Sequence, residues 1–164
     1  MDESRFGLLS NMRRCLTSKG VKPIVPYQHK FQNFYLFGAY SPVNGDSFTL
    51  EYPYCNADCF QSYLDLLSEH KKDEFKIILL DNGAFHHSKQ LIIPDNTALL
   101  FIPPYSPELN PAECMWRYIK GKIANRIFES LNNLSDSLAE IINDLNNKTV
   151  KSITGWTLYN KCIY

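Results

Sequence analysis

Apolar positions along the chain switch between a two-residue and a three-to-four-residue period, and the switches delimit its elements. Asp2 to Leu9 is a short acidic-then-apolar run that reads as a strand already under way. Asn11 to Lys30 is polar, basic and broken by Gly20, Pro23 and Pro26, the composition of a long loop or irregular hairpin. Phe34 to Tyr40 is apolar on both faces and predicts a central strand, with Gly38 marking a bulge or a close backbone approach. The Asn44-Gly45 pair is a hairpin signal, and beyond it Phe48, Leu50 and Tyr52 alternate with polar residues as a strand with one solvated face. Asn56 is suited to cap a helix, and Phe60, Tyr63, Leu64 and Leu67 recur at helical spacing to about Glu69. Lys76 to Leu80 and Leu99 to Ile102 are unbroken apolar runs, the pattern of parallel strands buried on both faces, with a short polar segment around His86 to Leu91 between them. Leu131, Leu134, Leu138, Ile141, Ile142 and Leu145 predict one further amphipathic helix, and Ile153, Trp156 and Tyr159 keep helical spacing in a tail interrupted by Gly155.

The most sharply marked stretch is LLFIPPYSPELNPAECMWRYIK, Leu99 to Lys120. Pro103, Pro104 and Pro107 forbid further ladder or helix and stiffen the connection. Asn110 is a good N-cap and Pro111 suits the first helical position. At 100° per residue Met115, Trp116, Ile119 and Ile123 form a packing face, while Glu113, Arg117, Lys120 and Ala124 share another. Glu113 has two readings: a capping-box residue folded back onto Asn110, or an acidic group presented outward beside two cations. Asp81, in Asp81-Asn82-Gly83, is either the start of a hairpin turn or a polar residue at the carboxyl end of a buried parallel strand, where α/β sheets bind ligands. No alternating partner strand follows it, which favours the second reading.

Composition narrows the class. With 164 residues, 45% of them hydrophobic, the chain is most simply one domain with a real core. No apolar run approaches a bilayer span, so a soluble intracellular protein without a membrane partner is expected. Five scattered cysteines suggest reduced thiols, and a zinc site built from Cys55, Cys59, His86 and His87 lacks the usual spacing. Net charge is zero, yet between Glu3 and Asp46 there is no acidic residue while Arg5, Arg13, Arg14, Lys19, Lys22 and Lys30 all fall there. This is either a solvated basic loop or the footprint of a phosphate-backbone binder.

Three antiparallel strands, a helix, a parallel strand, a short helix, a parallel strand and a helix make the ribonuclease-H-like α/β plan, a mixed five-stranded sheet flanked by helices. Three carboxylates fall where that plan converges: Asp2 on the first strand, Asp81 after the fourth, and Glu113 at the start of the helix after the fifth. Carboxylates are the ligands Mg²⁺ and Mn²⁺ prefer, and a pair of such ions stabilises both oxygens of an in-line phosphoryl displacement.

The segments DESRFG, ILLDNGAFH and above all LLFIPPYSPELNPAECMW resemble the DDE transposases of the Tc/mariner superfamily, in particular its bacterial insertion-sequence branch, over Asp2 to about Asn125. The resemblance implies an Asp2, Asp81 and Glu113 catalytic triad, two bound Mg²⁺ or Mn²⁺ ions, and cut-and-paste movement of a DNA element. It further implies double-stranded DNA as partner, at element ends and target, a homodimer on that DNA, a nucleoid-associated place in the bacterial cytoplasm, and His86 near the site, its alternative being a surface histidine. Arg13, Arg14, Arg117 and Lys120 are the candidate phosphate contacts. Residues 1–128 would form the catalytic domain and 129–164 its helical extension. Two departures stand out. Only 31 residues separate Asp81 from Glu113, slightly fewer than is usual in that family, the shortening falling around Lys89 to Thr97. The family's helix-turn-helix modules are missing upstream, which suggests either a helix-turn-helix partner polypeptide from a split reading frame, or a non-catalytic remnant that keeps the fold and binds DNA or a protomer. A cellular ribonuclease-H-like nuclease fits the PPYSPELNPAE turn less well.

Overall fold

The computed structural model describes residues 1–155, so Trp156, Tyr159 and Cys162 of the tail lie outside the described residues. Five strands are present: β1 (Asp2–Gly7), β2 (Asn33–Tyr40), β3 (Ser47–Tyr52), β4 (Lys76–Leu80) and β5 (Thr97–Phe101). The helices are α1 (Ala57–Glu69), α2 (Pro111–Ile123), α3 (Leu131–Asn143) and α4 (Asn147–Thr154), with 3₁₀ turns at Ala84–His87 and Pro107–Leu109. Local chemistry sets the boundaries. The Asn56 side chain accepts from the Cys59 N–H to start α1, and Gly45 takes φ 78° in the β2–β3 turn, a conformation glycine adopts without steric cost.

The strands pair as an antiparallel β1-β2-β3 sheet and a separate parallel β4-β5 pair, rather than as one continuous ladder. The two meet at Met1, whose amino group donates to the Leu79 carbonyl at 3.0 Å. Two cores lie on opposite faces. On one, Phe37, Phe60, Tyr63, Leu64, Leu67, Ile78 and Leu80 pack beneath α1. On the other, Phe6, Leu36, Tyr40, Met115, Trp116, Ile119, Leu134, Leu138 and Val150 pack beneath α2, α3 and α4.

One expectation needs correction. The two parallel strands are not buried on both faces: Leu100 of β5 is 54% exposed and Ile77 of β4 69% exposed. An apolar run cannot distinguish an interior strand from one with a single covered face, and here α2 covers β1 and β2 instead. Of the two readings of Gly38, a bulge or a close approach, the second holds. The residue keeps regular register between Asp2 and Thr49, and a Cβ there would stand 2.7 Å from the Trp116 ring, so the close approach is what the glycine permits.

Candidate active site

Asp2 opens β1 directly opposite Gly38. The notch left by the absent Cβ admits the Trp116 indole, whose Nε1–H donates to Asp2 Oδ2 at 2.9 Å. A residue read from periodicity as packing therefore also orients a carboxylate. Asp2 is only 8% exposed, and its carboxyl is pushed up to about 7, first by burial and then by the nearby charges of Glu3 and Glu113.

Asp81 follows β4 at its carboxyl end, beside β5, and the Asn82 side chain donates to the Ile102 carbonyl at 2.7 Å to tie the two strand ends together. No hairpin follows. The chain enters the Ala84–His87 turn, with the Gly83 N–H donating to Asp81 Oδ1 at 3.0 Å. Glu113 lies in the first turn of α2. The Asn110 side chain accepts from the Ala112 N–H at 3.1 Å and donates to the Met1 carbonyl at 3.1 Å, locking the helix start to the start of β1. The Asn110 N–H, which a capping-box glutamate would use, goes instead to the Pro107 carbonyl at 3.0 Å. Glu113 is exposed on the cleft side of its helix.

Asp2, Asp81 and Glu113 thus line one cleft of about 410 Å³, walled by Asn110 and the Pro103–Pro107 connection. They do not close on a common point: among the described residues no three His, Cys, Asp or Glu side chains stand close enough to hold one ion. The donor set nevertheless suits a hard divalent cation, because three carboxylates face one cavity, and burial with the charges of Glu3 and Glu113 disfavours the ionised Asp2 carboxylate in a way that a bound cation would offset. The zinc arrangement of Cys55, Cys59, His86 and His87 is not formed.

Tyr105 was not expected from sequence as a site residue. It is fully exposed on the cleft rim with φ 60°, a left-handed conformation unusual for an aromatic residue, and the only sequence signal was its place between prolines. His86 is not a surface residue, being 3% exposed. Its Nε2 lies 3.1 Å from Glu3 Oε1 and its Nδ1 3.0 Å from Asp81 Oδ1. Burial opposes its protonation, while the Glu3 hydrogen bond and charge raise its pKa above the ordinary value.

The basic candidates divide. Arg13 is tied to the end of α2, its N–H donating to Asn125 Oδ1 at 2.8 Å, and its guanidinium lies against Gly121 where any Cβ would clash. With Arg117, Tyr118 and Lys122 it lines a groove of about 420 Å³ on the outer face of α2. Arg14 is exposed on the same loop. Lys120 is half-buried and sits 5.5 Å over the Phe6 ring, with burial lowering its pKa and the charges of Glu113 and Asp2 raising it.

A family model described as DDE superfamily endonuclease matches residues 1–135. The chain is 35% identical over 102 residues to the uncharacterized protein y4pE/y4sA of Sinorhizobium fredii (strain NBRC 101917 / NGR234), a match covering 61% of this chain and 76% of that protein. Among solved structures, the Mos1 transposase paired-end complex with left transposon end matches with a TM-score of 0.69 at 17% identity, over 93% of this chain and 49% of that one. The Mos1 mariner paired end complex with Mn matches with a TM-score of 0.69 at 17% identity, over 92% and 49%. The likeness is one of fold, and the chain spans about half the length of the Mos1 chains it matches.

Proposed function

Since the chain belongs to the DDE superfamily endonucleases, we propose that it is the catalytic domain of a cut-and-paste transposase of the bacterial insertion-sequence branch of Tc/mariner, cleaving DNA strands at element ends and joining them to target DNA. The observation that carries this reading is the meeting of Asp2, Asp81 and Glu113, from three separate elements, in one cleft at the carboxyl end of the parallel strands. These three side chains would hold two divalent ions, Mg²⁺ or Mn²⁺, and the structural neighbours include a Mos1 complex with each metal. Such ions supply Lewis acidity to the attacking water and to the leaving oxygen of a phosphodiester.

The chain's own residues place the DNA. Glu113 and Arg117 are one turn apart on α2, about 5–6 Å between Cβ atoms. A strand held by Arg13, Arg14, Arg117 and Lys120 would accordingly run along α2 into the cleft. Phosphate contacts of this kind position a duplex without reading its sequence. End recognition then falls to a helix-turn-helix polypeptide acting with this domain, and the active assembly is a homodimer on double-stranded DNA. Residues 129–155, including α3 and α4, complete the core beneath α2 and belong to the same domain as the site.

Substitution of Asp81→Asn or Glu113→Gln tests the reading, since each removes a ligand charge without adding bulk. Divalent-metal-dependent nicking of a duplex should fall by about 100-fold or more with DNA affinity retained. Nicking by either variant at the parent rate would overturn it, and absence of nicking by the parent would favour a remnant that binds DNA without cutting it.

A further inference from the structure

His86 is a buried imidazole flanked by carboxylates on both sides. Its side chain is fully enclosed, with ring centroids 4.6 Å from Phe60 and 4.2 Å from Phe85. Nε2 faces Glu3 Oε1 at 3.1 Å and Nδ1 faces Asp81 Oδ1 at 3.0 Å. Nδ1 is also 3.3 Å from the Asp81 main-chain carbonyl, so this edge of the ring is set against both the backbone and the side chain of Asp81. Glu3, whose side chain is 8% exposed, reaches the ring from β1. Gly83 leaves the room: a Cβ there would stand 3.1 Å from His86 Nδ1 and 3.2 Å from Asp81 Oδ1, tight against both ends of the contact.

The result is a chain of three side chains from β1, the Ala84–His87 turn and the end of β4, terminating on one oxygen of a cleft carboxylate. Asp81 is otherwise 54% exposed and would rotate freely. Held through Oδ1 by His86 and the Gly83 N–H, it has its other oxygen left for the cleft. We infer that Glu3 and His86 are positioning residues that fix the Asp81 carboxylate in the orientation needed to take a divalent cation, Glu3 anchoring the far side of the ring that rests on Asp81. Outer-shell partners of this kind change metal affinity without touching the metal. The inference rests on the proposed reading of Asp81 as a metal ligand.

The test is Mn²⁺ affinity of the full chain, measured by electron paramagnetic resonance in the absence of DNA, with folding followed by circular dichroism. Glu3→Gln keeps the volume and removes the charge, His86→Asn removes the ring, and His87→Asn is the neighbouring control, since His87 stacks on Phe101 at 4.2 Å outside the chain. Glu3→Gln and His86→Asn should each weaken Mn²⁺ binding by about 10- to 100-fold, with His87→Asn unchanged. In an Asp81→Asn background, Glu3→Gln should add less than about two-fold, because a positioning residue has nothing left to position, whereas a general structural effect would persist. Equal loss in both backgrounds, or Glu3→Gln binding like the parent while Asp81→Asn weakens, overturns the positioning role and leaves the site reading intact. Failure of Asp81→Asn to weaken binding overturns both. Should His86→Asn not fold, the isosteric Glu3→Gln pair decides.

Discussion

Asp2→Asn should make the metal-free chain more stable at alkaline pH, although it removes a proposed ligand. The Asp2 carboxyl, at 3.8 when free, stands at about 7 in the folded chain because it is buried beside Glu3 and Glu113. That difference corresponds to about 4 kcal/mol against the ionised form once the pH exceeds the folded value. Between the unfolded and folded values the native state binds the extra proton. The stabilisation is therefore complete below about pH 4 and is lost as pH rises through 7. From pH 5 to pH 8 the parent should lose about 2–3 kcal/mol from this group, or about 5–10 °C in Tm for a domain of this size. Asparagine keeps an oxygen for the Trp116 N–H and has no proton to lose. Urea unfolding of parent and variant in chelator at both pH values reads the difference: the advantage of Asn should be about 1–2 kcal/mol at pH 5 and grow by about a further 2–3 kcal/mol at pH 8. A variant less stable than the parent at pH 8, or parallel pH profiles, would show that Asp2 is not held among uncompensated negative charges.

Other consequences are sharp enough to measure. Trp116→Phe keeps the edge contacts to Phe6 and Tyr40 but removes the donor to Asp2, so it should cost about 1.5–3 kcal/mol at pH 8 and less at pH 5, by the same unfolding assay. Asn110→Ala removes both the α2 cap and the bond to the Met1 carbonyl and should cost about 1–3 kcal/mol; a loss under about 0.5 kcal/mol would mean that the helix start is held elsewhere. Replacing Arg13 and Arg14 together by alanine should reduce the slope of log DNA affinity against log salt by about one to two units, and an unchanged slope would return this segment to a solvated loop.

The elements that carry the carboxylates were legible because each has a local signature. Asn110-Pro111 marked the start of α2 and the spacing of Met115, Trp116, Ile119 and Ile123 its buried face, all as observed. The end of β4 at Leu80 followed from the loss of apolar character at Asp81. What could not be read depends on contacts between distant segments. Glu3 neighbours Asp2 in sequence but serves His86, 83 positions away, so the burial of His86 against Glu3 has no local signal. Trp116 fits the packing stripe whether or not its N–H reaches a partner 114 positions earlier. The division of the sheet into three and two strands was equally hidden, since apolar runs specify strands but not which edges pair. Helix α4 starts at the Asn146 cap and ends at Thr154, with Gly155 as its C-cap.

Whether Asp2, Asp81 and Glu113 together form a divalent-metal centre is read directly, without relying on activity, by anomalous diffraction from crystals of the chain soaked in Mn²⁺. Mn²⁺ peaks are expected inside the cleft, bounded by oxygens of all three carboxylates, with the Asp81 side chain still held by His86 on its far side. Mn²⁺ bound only elsewhere, or a cleft in which Glu113 remains turned to solvent at saturating metal, would contradict a three-carboxylate centre.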